Sequence, residues 1–303
     1  MTSAAKTGAA KTGAAKTGSL VLVATPIGNL GDLSPRAVEE LRGADLIAAE
    51  DTRRTRTLLT HAGIPAAGRL RAVHAHNEHV EAERIVALVR EGARVVYVSD
   101  AGTPGVSDPG ERLVRACVAE GLAVDVVPGP SAVLAALVVS GLPTTPFVFE
   151  GFLARKGAAR SERIAAMRSA PATTVLFESP LRVAATLVEL RDALGGERLA
   201  VVARELTKLH EEVLRGTLAE LADAVAARAP RGECVIVVGP ALPDDTRVSV
   251  TDADIRAALE RALSAGSSKR DAAAGVAAAL NVAKRRAYEL AVAMPSPEPF
   301  EAP

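Results

Sequence analysis

Short apolar runs set the rhythm of residues 20–240, each ending in a polar or glycine-rich stretch that leads into a helix-like spacing. DLIAA at 45–49 and LAVDVV at 122–127 read as strands, and the runs LVLVA at 20–24 and RVVYV at 94–98 are continuous rather than alternating. That is the pattern of strands covered on both faces. Residues 69–73 read as a further strand. Between these strands the spacing turns helical. Ser34 with Pro35 reads as a cap and first turn, and a helix carries Ile85, Leu88 and Val89. Asp108, Pro109 and Glu111 fit the N-cap, N1 and N3 positions of a helix whose Leu113, Val114, Cys117 and Val118 share a face and which stops at Gly121. Ser131 opens an apolar helix that runs to Val139. Gly141, Leu142, Pro143 and Pro146 break the pattern. The rhythm then resumes with strands predicted at 147–152, 173–177, 199–203 and 234–238 and a helix at 181–194. A basic segment from Arg155 to Arg163 reads as a mobile flap. After a linker with Pro240, Pro243, Asp244 and Asp245, short helices begin near Asp252.

The pattern predicts four regions: a low-complexity tail over 1–18, an α/β domain over 19–142, a second over 143–240, and a linker with a helical, helix-turn-helix-like module over 241–303. The tail repeats AAKTG three times without one large apolar side chain, so it cannot bury enough surface to order itself.

Lys plus Arg equals Asp plus Glu at 36 each, so any contact with nucleic acid has to be local. The candidate patches are Arg53, Arg54 and Arg56 after the second strand, and Lys269, Arg270, Lys284, Arg285 and Arg286 in the terminal module. Cys117 and Cys234 make neither a disulfide framework nor a zinc site, and a reducing cytoplasm fits them. His74, His76 and His79 lack a partner at a recognised metal-ligand spacing and read as surface residues, so no metal is expected. The longest apolar stretch, 132–139, is too short to cross a bilayer.

The chemistry concentrates at strand ends. VVYVSDAGTPGVSDPG, residues 95–110, turns a buried strand into a loop with three glycines and two prolines, longer than a plain strand-to-helix connection needs. Asp100 sits at the carboxyl edge, where open parallel sheets bind ligands. PGPS before the Ser131 helix offers free amides beside it.

The blocks VATPIGNLGDLSPRA, AAEDTRRTRTLL, SDAGTPGVSDPG, VPGPSAVLAALVVSGLP, FESPLR and ARELTKLHEE together resemble the tetrapyrrole-methylase-like methyltransferases, and within them the branch that methylates a cytidine ribose of 16S ribosomal RNA. The resemblance spans about residues 20–240, with a weaker match beyond. It implies two α/β domains with S-adenosylmethionine in the cleft between them, usually a homodimer, acting on 16S RNA in the small ribosomal subunit. Carried over by motif, the cofactor contacts fall on Pro26, Ile27, Gly28 and Asn29, on Asp100, Gly102 and Thr103, and on Ser131 and Ala132. Leu181 departs from the pattern, since many relatives have histidine there.

Attack by a ribose hydroxyl needs its proton removed as the bond forms, so a base or a water is required. The cluster with Glu205, Lys208, His210, Glu211 and Glu212 follows a strand of the second domain and supplies the catalytic candidates. Two Tyr, five Phe and no Trp are too few to propose an aromatic clamp for a flipped base. The alternatives are a precorrin-type carbon methyltransferase on the same fold and a non-catalytic RNA-binding assembly factor.

Overall fold

Alternate side chains of the central strands feed two separate cores. In the computed structural model, which describes residues 18–241 except 67 and 75 and residues 251–294 except 281, the N-terminal part is a βα alternation. Its elements are β1 (Ser19–Val23), α1 (Pro35–Gly43), β2 (Leu46–Ala49), α2 (Thr52–His61), β3 (Leu70–Ala72), α3 (Glu78–Arg90), β4 (Arg94–Val98), α4 (Gly110–Ala119), β5 (Ala123–Val127) and α5 (Ala132–Ser140). The sheet is wholly parallel, in the order β3-β2-β4-β1-β5. Leu20, Leu22, Val95 and Tyr97 face a core shared with α3 and α4. Val21, Val23, Val96 and Val98 face the opposite core, under α1 and α2. Period-two geometry thus explains the unbroken apolar runs, because both faces need apolar residues. Residues 1–17, which hold the AAKTG repeats up to their final Gly18, and the linker residues 242–250 lie outside the described residues.

The second half is a mixed sheet. It contains β6 (Phe147–Phe152), α6 (Ala158–Met167), β7 (Thr173–Glu178), α7 (Val183–Leu194), β8 (Leu199–Arg204), β9 (Glu212–Thr217), α8 (Leu218–Ala227) and β10 (Cys234–Val238), in the order β6-β7-β10-β8-β9. Only β6 and β7 pair in parallel. One face, with Leu176, Val202 and Ile236, packs under α6, α7 and α8. The other, with Val175, Val201, Val235 and Val237, packs on Val133, Ala136 and Leu137 of α5 and on Ile27. Helix α5 follows the first sheet in the chain but is buried on the second. Both sheets belong to one compact unit, residues 1–240.

Three sequence expectations need correction. The 155–163 segment is no flap, because Arg160 is buried and holds α6 in place. Its Nε donates to Glu189 at 2.7 Å, one Nη to the Thr186 hydroxyl at 2.9 Å and the other to the Ala154 carbonyl at 3.2 Å. Asp108 does not cap α4 as an N-cap. Pro109 holds that position, and the Asp108 carboxylate accepts the Gly110 and Gly105 amides at 2.7 and 2.8 Å instead. Val118 does not share the buried face of Leu113 and Cys117 and is 61% exposed.

Residues 241–303 form the second unit. It contains α9 (Asp252–Ser264), α10 (Lys269–Ala279) and α11 (Lys284–Ala293), which enclose Ile255, Leu259, Val276 and Leu290. Thr251 caps α9 reciprocally with Asp254, and Ser268 caps α10. No helix among the described residues is long and apolar enough to cross a membrane.

Candidate active site

The carboxyl ends of β1 and β4 are neighbours in the sheet, so the loops that follow them meet. Thr25 and Gly102 exchange both backbone hydrogen bonds, at 2.9 and 3.0 Å. Gly102 has φ +81, and an added Cβ would come within 3.3 Å of Ile27, so glycine is what lets this turn close. The Thr103 hydroxyl donates to the Pro130 carbonyl at 3.1 Å, which ties the same loop to the start of α5. Ser131 caps α5 by accepting the Leu134 amide.

Beneath these loops lies a cavity of about 410 Å³, within the range for small-molecule sites. Ile27, Ala101, Gly102, Thr103, Ser131, Ala132 and Val133 form the wall from the first half. Among the described residues the amides of Ala101, Thr103, Ala132 and Val133 have no protein acceptor, so this wall offers donors to a polar ligand group. The opposite wall comes from the ends of β6, β7, β8 and β10: Phe152, Phe177 to Pro180, Leu206, and Glu233 to Val235. Sequence reasoning chose no residue of this wall as a site. The FESPLR block was the available signal, because its Phe, Glu, Ser and Pro all line the cavity.

Five of the sequence-derived cofactor candidates, Ile27, Gly102, Thr103, Ser131 and Ala132, line the cavity. Pro26, Gly28 and Asn29 continue the Ile27 loop and meet the second half. The Asn29 amide donates to the Thr207 hydroxyl at 3.1 Å, and a Cβ on Gly28 would lie 2.3 Å from Lys208 Cγ. Asp100 is not in the wall. It holds the wall's base, accepting the Asp51 amide at 2.9 Å and facing Arg54 Nε at 3.6 Å, while its own amide donates to Glu50 at 3.3 Å. Burial pushes the Glu50 carboxyl above the usual range, and the neighbouring Asp100 and Asp108 carboxylates add to this against the opposing pull of the Asp100 amide.

The loop after β8 is internally paired. Lys208 Nζ lies 2.8 Å from Glu205 and 2.9 Å from Glu233. Lys208 holds the Glu205 carboxyl below the usual range, with help from the Glu233 amide. Burial alone would lower the Lys208 ammonium, but its two carboxylate partners outweigh burial and raise it. Glu205 and Thr207 take positive φ, of 51° and 65°, and Glu211 accepts the Thr207 amide at 2.6 Å. His210 is exposed and has no hydrogen-bond or ion-pair partner among the described residues.

Of the basic candidates, Arg53 forks onto Asp51, Arg54 faces Asp100, and Arg56 is exposed without an ion pair among the described residues. In the terminal unit, Lys269 donates to the Met294 carbonyl, Arg285 pairs with Glu289 and Arg286 with Asp252. Arg270 and Lys284 have no ion pair among the described residues.

An S-adenosylmethionine-sized ligand fits this cavity chemically. The amide wall suits a carboxylate or ribose, and Phe177, Pro180 and Val235 suit a flat heterocycle. Comparison with known proteins gives the same direction. Residues 19–222 match the family described as Tetrapyrrole (Corrin/Porphyrin) Methylases. The chain is 43% identical over 273 residues to Ribosomal RNA small subunit methyltransferase I of Synechocystis sp., covering 90% of this chain and 97% of that protein. It is 49% identical over 271 residues to the protein of the same name from Xylella fastidiosa, covering 89% and 97%. Among solved structures, uroporphyrin-III C-methyl transferase from Thermus thermophilus complexed with S-adenyl homocysteine shares the fold. Its TM-score is 0.53 at 22% identity, over 73% of this chain and 97% of that one.

Proposed function

Because the chain belongs to the Tetrapyrrole (Corrin/Porphyrin) Methylases, we propose that it methylates a cytidine ribose 2′-oxygen in 16S ribosomal RNA of the small subunit, using S-adenosylmethionine. The observation that carries this reading is the near full-length similarity to two proteins named as small-subunit ribosomal RNA methyltransferases, together with a cavity whose walls fit the cofactor.

When bound, the cofactor supplies a methyl group on a positively charged sulfur. The chain's own work is placement. The amides of Ala101, Thr103, Ala132 and Val133 with the Ser131 cap orient one end of the ligand, while Phe177, Pro180 and Val235 exclude water from the other. The Pro26, Ile27, Gly28 and Asn29 loop fastens the first wall to the second through Thr207, and Asp100 keeps the wall's base in register. Glu205 and Lys208 neutralise each other and hold the loop's shape. Glu211 is engaged by the Thr207 amide. Glu212 is engaged by Arg204 Nε at 2.6 Å, which leaves His210 as the candidate to accept the hydroxyl proton. Arg53, Arg54 and Arg56 on α2, and Lys269, Arg270, Lys284, Arg285 and Arg286 in the terminal unit, form the RNA-contacting patches, with Arg56, Arg270 and Lys284 free to reach phosphate. A cytoplasmic homodimer completes the reading. The exposed Val126, Leu134, Val138, Phe147 and Val148 on β5, α5 and β6 support it as apolar surface a second copy would cover.

The test is nucleoside mass spectrometry of 16S RNA from a strain lacking the gene. One 2′-O-methylated cytidine species should be lost, then restored by the wild-type gene. An unchanged ribose-methyl profile, or loss of a base methyl instead, overturns the proposal.

A further inference from the structure

Three of the five phenylalanines, Phe149, Phe152 and Phe177, form one cluster, and two of them, Phe152 and Phe177, line the cavity. Phe149 and Phe177 lie with ring centroids 5.0 Å apart, and Phe152 and Phe177 5.5 Å apart. Simple strand alternation would put Phe149 and Phe152 on opposite faces of β6. They share a face because the register against β7 skips one residue, Phe149 pairing with Val175 and Gly151 with Leu176, so that Phe152 stands opposite Phe177. Gly151 takes φ +63 at that irregularity. Bulges next to active sites re-aim a side chain, and this one turns Phe152 into the cavity while the next residue, Leu153, stays buried in the core.

Phe152 nevertheless remains 62% exposed. An open aromatic face at a cavity mouth, beside a deeper aromatic already packed, is a surface for a flat partner arriving from outside. The flanking chemistry says which one. Immediately after Phe152, Arg155 and Lys156 are exposed and have no ion pair among the described residues. Arg160 pins the Ala154 carbonyl just before them. Helix α6 then begins at Ala158 without a side-chain cap. A neutral adenine has no use for two cations, whereas a nucleotide in a strand brings a base and phosphates together.

We propose that Phe152 is a stacking platform for the unstacked base of the acceptor nucleotide, with Arg155 and Lys156 receiving its flanking phosphates. This rests on the RNA methyltransferase reading above. Base stacking here holds the sugar, whose hydroxyl is the acceptor, at the cavity mouth. The low count of aromatics in the sequence is therefore no argument against base recognition, since those present are placed together.

The test compares wild type with Phe152→Ala, Phe152→Leu and Phe152→Tyr in three measurements: calorimetric titration with S-adenosylmethionine, methyl-transfer kinetics on small ribosomal subunits lacking the modification, and anisotropy of a labelled single-stranded oligoribonucleotide. Phe152→Ala should raise the KM for subunits and the oligonucleotide Kd by roughly 5- to 150-fold, the range of one base–aromatic stack, with a far smaller change in cofactor affinity. Tyrosine should restore both and leucine should not. Removing Arg155 and Lys156 together should weaken oligonucleotide binding and flatten its salt dependence. The proposal is overturned if Phe152→Ala loses cofactor affinity by the same factor, if leucine serves as well as tyrosine, or if neither RNA measurement changes. A wild-type enzyme that methylates no subunit RNA refutes the parent reading instead, and the oligonucleotide measurement then decides the stacking on its own.

Discussion

Replacing Asp100 separates holding the cofactor wall from forming it. The Asp100 carboxylate accepts the Asp51 amide at 2.9 Å and faces Arg54 at 3.6 Å, but it does not line the cavity. The Arg54 side chain is 60% exposed, so that pair adds little. A hydrogen bond to an ionised acceptor is worth about 1.5–3 kcal/mol. Part of it returns in Asp100→Ala as water reaches the Asp51 amide, and relief of the crowding against Glu50 returns more. The net loss of stability should be about 1 kcal/mol, or roughly 2–4 °C in Tm. Cofactor affinity should suffer more, because the Ala101, Gly102 and Thr103 backbone is positioned from this anchor. If most of the bond's worth is expressed there, the S-adenosylmethionine Kd rises about 10- to 150-fold. Asp100→Asn keeps an acceptor for the Asp51 amide without the charge and should stay within about threefold of wild type on the same energy scale. Calorimetric titration of both variants, with thermal melts alongside, reads the two effects. Wild-type affinity in Asp100→Ala would refute any cofactor role, and an Asn variant as weak as Ala would show that the charge itself is needed.

Other perturbations follow from the same geometry. Gly28→Ala drives a methyl to 2.3 Å from Lys208 Cγ and 3.1 Å from the Leu206 carbonyl, so it should part the two loops and weaken cofactor binding with only a small change in Tm. Gly110→Ala places a methyl 2.5 Å from the fully buried Tyr97 ring and should cost about 1–3 kcal/mol in denaturant unfolding. Wild-type stability would mean the ring has room to move. Glu50 has a raised folded pKa, so its contribution is present below its ordinary value of 4.5 and is lost as pH rises through the folded value. Glu50→Gln should therefore melt higher than wild type at pH 7.5, with the gap closing toward pH 4. A gap independent of pH would dissociate the effect from ionisation. His210→Ala should lower kcat on subunits and leave cofactor affinity intact, and an unchanged kcat would remove His210 from proton transfer.

What the sequence made legible was what local chemistry decides. The central strands β1, β2 and β4 announce themselves because both faces are buried, and Ser34 and Ser131 cap the helices their positions suggest. Strand β9 escaped because Glu212, Arg215 and Thr217 made it look like the end of a polar loop. Its partner β8 alone defines it as a strand. The basic 155–163 segment misled for a related reason: the fate of Arg160 depends on Thr186 and Glu189, which only tertiary structure brings near. In the site, the wall from the first half was readable as glycine-rich strand ends. The second wall was not, because it is assembled from the ends of four strands far apart in the chain, and one of its side chains is aimed by a one-residue slip in register.

The burial of α5 on the second sheet matters before the protein is complete. Val133, Ala136 and Leu137 find their cover in β7, β8 and β10, and β10 begins only at Cys234. Roughly ninety residues must be synthesised after α5 before that cover exists, about 5–20 s at ordinary elongation rates. Through that interval the first sheet can form, but it carries an apolar helix with nothing to rest against. The growing chain is thus most exposed to aggregation just when its first half is finished, and release from that state waits on the last strand of the second half.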